Sequence, residues 1–182
     1  VRTERNVLLA ITAGLVLVSN LLPGDGVEYD RAALAHGELW RLWSGQFCHW
    51  SALHLVGNLA ALTGVAIVAG HTIRRWLALL PIAAPLLSVF IYFAAPSLER
   101  YRGLSGLVAL LVVGAAIEGG TVGRLLAVAY LGKLAFDATT GGPSALLPEG
   151  IVIAWPAHLG GILLGLLAAF GFRHSAAAEK SE

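Results

Sequence analysis

The amino-acid sequence predicts an all-α membrane protein: a single domain over residues 1–182, built as a bundle of six transmembrane helices with a cytoplasmic amino terminus. Three observations carry that prediction. Hydrophobic residues make up 57% of the chain and charged residues 13%, which leaves too little polar surface for a soluble domain of this size. The apolar runs recur along the chain and are long enough to cross a bilayer. Glycine occurs 22 times, as suits helices in lipid, where association rests on close backbone approach rather than on a hydrophobic drive.

The elements follow in order. The first span, 7–22, comes after Arg2 and Arg5; a signal peptide begins the same way, but VSNLLPGDG lacks an A-x-A-like cleavage site, so the segment reads as a retained helix. Residues 23–50 form the single long connection, a first loop on the outer side. Spans at 51–70, 76–95, 104–117, 122–138 and 151–172 follow. The fourth is short and runs into Glu118, Gly119 and Gly120. Residues 174–182 are expected to be a disordered cytoplasmic tail. Orientation comes from the basic residues: Arg2, Arg5, Arg74, Arg75, Arg124, Arg173 and Lys180 fall inside, while Asp25, Glu28, Asp30, Glu38 and Glu149 fall outside. Arg31, Arg41, Arg100 and Arg102 also lie outside, so the bias is modest. Trp40, Trp43, Trp50 and Trp155 stand where an interfacial aromatic belt would put them whatever the function. With a net charge of +1 and no basic stripe, nucleic acid is not an expected partner. Cys48, the single cysteine, has no partner within the chain.

Strongly polar side chains inside membrane spans are costly and mark functional sites by default. His54 and Asn58 stand near the start of the second span, Ser105 at the start of the fourth and His158 early in the sixth. These even-numbered helices run from outside to inside, so at 1.5 Å rise per residue each position lies roughly 10 Å or less below the outer surface. Three separate stretches thus bring a hydroxyl, two imidazoles and a carboxamide to one layer. Acyl transfer is the chemistry this set supports. A serine hydroxyl needs a base to accept its proton, and imidazole is the usual base near neutral pH; Ser105 and His158 fit those roles. His54 and Asn58, at i and i+4, share a helix face. Gly103 allows a tight turn before the serine, Gly106 allows close approach of a neighbouring helix, and the Ser105 amide opens a helix where the dipole favours an anion.

GLSG (103–106), HLVGN (54–58) and AHLGGILLG (157–165) together resemble the rhomboid intramembrane serine proteases, over the whole six-helix chain. The resemblance implies that Ser105 is the nucleophile and His158 its base, a dyad without a carboxylate, and that His54, Asn58 and the Ser105 amide form the oxyanion hole. ELWRLWSGQFCHW (38–50) is similar to the family's Trp-Arg element, with Trp40 and Arg41 in a loop half sunk in the outer leaflet. His49 would support the oxyanion side, and Gly161 and Gly165 would face the serine helix. Many rhomboids carry an aromatic residue four positions after the serine, stacked on the histidine; here that position is Ala109, which leaves open what orients His158.

The small size, YRGLSG (101–106) and GKLAFD (132–137) resemble the rhombosortase subgroup. That resemblance implies a multi-pass enzyme of the bacterial inner membrane. Its substrates would be exported proteins with a Gly-Gly-containing carboxy-terminal membrane tail, and the acyl group could pass to an amine-bearing lipid-type acceptor. Lys133 and Asp137, at i and i+4 level with the site, either pair with each other or read the substrate tail. No cofactor is expected. His49, His54 and His158 share a layer, yet there is no H-E-x-x-H and no carboxylate beside them in sequence, so no metal is expected either. A non-catalytic rhomboid-like protein that binds transmembrane clients is the other reading, but such relatives lack the serine or the histidine, and both are present here. A transporter fits least, with neither an internal repeat nor paired broken helices.

Overall fold

A computed structural model describes residues 2–140 and 147–178. Its helices are α1 (Arg2–Ser19), α2 (Gly24–Val27), α3 (Arg31–Ala35), α4 (Arg41–Ser44), α5 (Ala52–Ala69), α6 (Ile73–Leu77), α7 (Leu80–Ala94), α8 (Ser105–Glu118), α9 (Gly120–Thr140) and α10 (Trp155–Ala178). Two short strands, β1 (Tyr29–Asp30) and β2 (Arg100–Tyr101), pair antiparallel with Tyr29 opposite Tyr101 and Asp30 opposite Arg100.

Each expected span overlaps one long helix, and the boundaries move for local reasons. α1 stops at Ser19 rather than 22 because Asn20 folds its side-chain amide back, donating to the carbonyls of Val16 at 2.6 Å and Phe47 at 3.1 Å. Ser51 caps α5, its hydroxyl accepting the His54 amide at 3.1 Å. The third span is broken: Trp76 belongs to α6, and α7 starts afresh at Leu80 with Pro81 in its first turn, where a missing N–H costs least. Residues 151–154 are not helical, and α10 begins at Trp155, again with proline, Pro156, in its first turn. At the other end α10 runs on through Ala178, into the stretch expected to be a disordered tail; residues 179–182, with Lys180, lie outside the described residues. The first loop, 23–50, carries α2, β1, α3 and α4 rather than irregular chain.

Among the described residues, two stretches are long and apolar enough to cross a membrane, Ala52–Leu77 and Trp155–His174; α7 and α8 are apolar but shorter. Ile67, Phe93, Val128, Leu167 and Phe170 face outward and are exposed, an apolar skin that matches hydrocarbon rather than water. Inside it α8 is the central element, with Leu107, Val108, Leu110, Leu111 and Val112 all buried, packed by α5, α9 and α10.

The seam between α8 and α10 is made of glycine. A Cβ on Gly161 would stand 1.9 Å from the Gly106 carbonyl oxygen, and one on Gly165 2.9 Å from Val113 Cβ. The backbones themselves are in contact, as the sequence of α10 leads one to expect. α8 and α9 are joined by Gly119 alone, and Gly120, with φ +60°, opens α9. There too the backbones meet, since a Cβ on Gly123 would fall 1.8 Å from the Ala115 carbonyl oxygen. Near that end Arg75 Nε donates to Glu118 at 2.7 Å, and Trp76 Nε1 donates to the same carboxylate.

The first loop clamps the strand that leads to Ser105. Arg41 is buried and donates to the carbonyls of Asp25 at 2.8 Å and Glu28 at 2.9 Å and to the Glu38 carboxylate at 2.7 Å. The buried Glu28 carboxylate accepts from Arg102 Nε at 2.7 Å, and Arg102 lies over the Trp50 ring at 4.4 Å.

Candidate active site

α8 starts at Ser105 and spans 14 residues, or about 21 Å at 1.5 Å per residue, well short of a hydrocarbon core of about 30 Å. Its amino-terminal end can therefore lie below the membrane surface only if the chain entering it is covered by protein. That condition is met: Tyr101, Gly103 and Leu104 are buried, and the Gly103 amide donates to the Gly45 carbonyl at 3.2 Å. Gly103 has φ +143°, and its backbone lies so close to His54 that an added Cβ would meet the ring Cε1 at 2.9 Å. Tyr101 Oη donates to the Gly103 carbonyl at 2.6 Å, bracing the same turn. No side chain caps α8, so the amides of its first turn, Ser105 and Gly106 among them, have no partner within the helix.

Ser105 Oγ lies 3.5 Å from His158 Nε2. Their helices are the two joined by the glycine seam, and Ser105 and Gly106 on one side face the His158 to Gly161 turn on the other. A separation of 3.5 Å is at the long end of a hydrogen bond, as is common for catalytic pairs before substrate binds.

His54 and Asn58 are both buried on α5. Asn58 Nδ2 donates to the His54 carbonyl at 3.0 Å, which uses one of its two protons and leaves the other available. His54 Nδ1 has no hydrogen-bond partner among the described residues. His49 stands behind this pair rather than beside Ser105: its ring meets that of His54 edge-on at 4.9 Å, and its Nε2 accepts the Leu104 amide at 3.5 Å. The His49 backbone amide donates to Asn20 Oδ1 at 2.9 Å. Burial first, and the neighbouring His54 second, hold the His49 pKa down at about 3, which favours a neutral ring, and the Leu104 amide donating to Nε2 puts the remaining ring proton on Nδ1.

Ser105, His158, His54 and Asn58, but not His49, border a cavity of about 560 Å³ between α5 and α9, lined also by Tyr130 and Lys133 among others. Leu147 and Gly150, from the connection before α10, close one side, and Trp50 and Arg102 close another. Lys133 pairs with Asp137 across one turn of α9. Of the two, Lys133 borders the cavity.

Sequence reasoning missed Tyr130. Its Oη lies 2.7 Å from His158 Nδ1, while Ala109, four positions after the serine, is fully buried under Gly161. An aromatic at 109 would collide with the seam, and the rings that approach His158 are instead those of Tyr130 on α9 and Trp155 at the start of α10, each with its centroid 6.2 Å away.

Apolar helices surround a cavity that carries a serine, two histidines and an asparagine on its wall, an arrangement in keeping with a helical membrane protein. The sequence matches the family described as Rhomboid domain over residues 36–175, more than half of the chain, and the chain belongs to the rhomboid family, whose members are generally intramembrane serine proteases. Comparison with curated proteins finds no match.

Proposed function

We propose that this rhomboid protein is an endopeptidase that cuts transmembrane segments near the outer face of the membrane with a Ser105–His158 dyad. The observation that carries the reading is the approach of Ser105 Oγ to His158 Nε2 at 3.5 Å on the wall of a cavity that also exposes His54 and Asn58.

The chemistry runs in two stages. Ser105 Oγ attacks the scissile carbonyl carbon as its proton passes to His158 Nε2, and the carbonyl π electrons move to oxygen. The oxyanion is held by the Ser105 amide at the start of α8, by the free Asn58 proton and by His54, at a site where the helix dipole already favours negative charge. Collapse breaks the C–N bond, and the proton on His158 Nε2 goes to the leaving amine. Water or an amine then releases the acyl group from Ser105 by the reverse sequence. A six-span bundle with a cytoplasmic amino terminus brings the cavity near the outer interface, where a substrate helix can unwind between α5 and α9. Glycine at the scissile bond lowers the cost of unwinding, by about 1 kcal/mol relative to alanine.

YRGLSG (101–106), GKLAFD (132–137) and the small size favour a rhombosortase-like substrate: the Gly-Gly-containing carboxy-terminal tail of exported proteins in the bacterial inner membrane. The test is cleavage of a reporter carrying such a tail, co-expressed with wild type, Ser105→Ala or His158→Ala. Cleavage by wild type alone is expected. Cleavage of a generic rhomboid substrate but not of this tail would remove the subgroup and keep the protease; equal cleavage by all three would overturn the dyad.

A further inference from the structure

His158 has two ring nitrogens, and only Nε2 faces Ser105. The other, Nδ1, lies 2.7 Å from Tyr130 Oη, a closer contact than that between the dyad members. Tyr130 sits on α9, across the cavity from the α8–α10 seam, with its ring centroid 6.2 Å from that of His158. Lys133, one turn further along α9, is occupied with Asp137, so the polar atom that α9 presents to Nδ1 is the phenol oxygen.

We propose that Tyr130 is the positioning residue for His158: its Oη accepts the Nδ1 proton and so fixes the tautomer in which Nε2 is bare. The inference rests on the reading of Ser105 and His158 as nucleophile and base. Neutral imidazole carries one proton. If Nε2 is to take the serine proton it must begin without one, and the ring proton must then sit on Nδ1 and need an acceptor. The phenol has two lone pairs and supplies one while keeping its own proton. When the Ser105 proton arrives at Nε2 the ring becomes cationic, Nδ1 remains a donor, and its bond to Oη becomes charge-assisted and stronger. Tyr130 therefore favours the state after proton transfer over the state before it. In a chain with Ala109 below the histidine, this contact from α9 does the orienting.

The experiment compares Tyr130→Phe with wild type by three readouts. The first is the rate at which a fluorophosphonate probe labels Ser105, with the probe concentration at half-saturation. The second is kcat and KM on a cleaved reporter. The third is the ¹⁵N NMR signal of His158 in histidine-labelled protein, assigned by its loss in His158→Ala. Removing a hydrogen bond to a group that becomes charged should slow labelling and kcat roughly 10- to 100-fold, with half-saturation and KM within about twofold. In wild type the His158 signals should be those of the Nδ1–H form, and in Tyr130→Phe those of a mixture. Tyr130→Ala should lose no more than a few-fold beyond Tyr130→Phe. Wild-type labelling by Tyr130→Phe, an Nε2–H form in wild type, or a large loss in Tyr130→Ala with none in Tyr130→Phe would each overturn the proposal while leaving the dyad standing. Failure of the dyad itself is separate, since it appears as labelling and cleavage that do not depend on Ser105.

Discussion

Gly161→Ala tests whether the dyad is aligned by direct backbone contact. The added Cβ would fall 1.9 Å from the Gly106 carbonyl oxygen, about 1.5 Å short of ordinary contact at 3.4 Å, and the atom it meets is backbone and cannot rotate away. α8 and α10 must separate there by about that amount. Ser105 is the residue before Gly106 and His158 lies one turn before Gly161, so the separation opens at the dyad. A gap of 3.5 Å becomes about 5 Å, beyond hydrogen-bond reach. Overpacking of this kind costs about 1–3 kcal/mol of stability, while loss of general-base assistance costs about 10²–10⁴ in rate. The variant should therefore remain folded in detergent with a lowered melting temperature, and label with a fluorophosphonate at least about 100-fold more slowly than wild type. Gly64→Ala is the control, because a Cβ there meets nothing within 4 Å; it should label at the wild-type rate. A folded Gly161→Ala that labels like wild type would refute the argument that the glycine seam sets the Ser105–His158 distance.

Two further outcomes follow from the same geometry. Asn58→Ala should lower kcat by about 10²–10³ with little change in KM if its free proton meets the oxyanion, as measured by reporter cleavage; an equal loss confined to KM would assign Asn58 to substrate binding instead. Arg102→Ala leaves the Glu28 carboxylate, whose side chain is 1% exposed, with only the looser contact to Arg100 at 3.6 Å among the described residues, and should destabilise the protein by about 3 kcal/mol. Thermal or denaturant unfolding in detergent checks it, and Glu28→Gln should cost less because the remaining amide still accepts a hydrogen bond.

Much of this arrangement was legible in the chain because the signals are local. Apolar runs locate the long helices, and the glycines of AHLGGILLG mark the face that meets α8. Serine at the first turn of α8 is readable from GLSG, where the apolar run begins. What was not legible depends on contacts between distant residues or on a single proline. The break between α6 and α7 is set by Pro81 inside an otherwise continuous apolar run, and a run scored on apolarity passes through it. The β1–β2 pairing joins residues 29–30 to 100–101, and two-residue strands have no periodicity to detect. Tyr130 stands 28 positions from His158 in a helix where a lone tyrosine reads as packing. Only the folded chain shows that α9 turns it toward the cavity. His49 illustrates an intermediate case: its place near the site was expected, but its hold on the Leu104 amide was not.

The one-residue join between α8 and α9 makes α9 a lever. Its fulcrum is at Gly119 and Gly120, pinned where Gly123 meets Ala115, and Tyr130 rides roughly 15 Å along the arm. A tilt of roughly 10° carries Tyr130 through about 2–3 Å over that length, as far as its whole separation from His158. Any such tilt would part Tyr130 from His158, so the contact at Nδ1 depends on how α9 is held at its joined end.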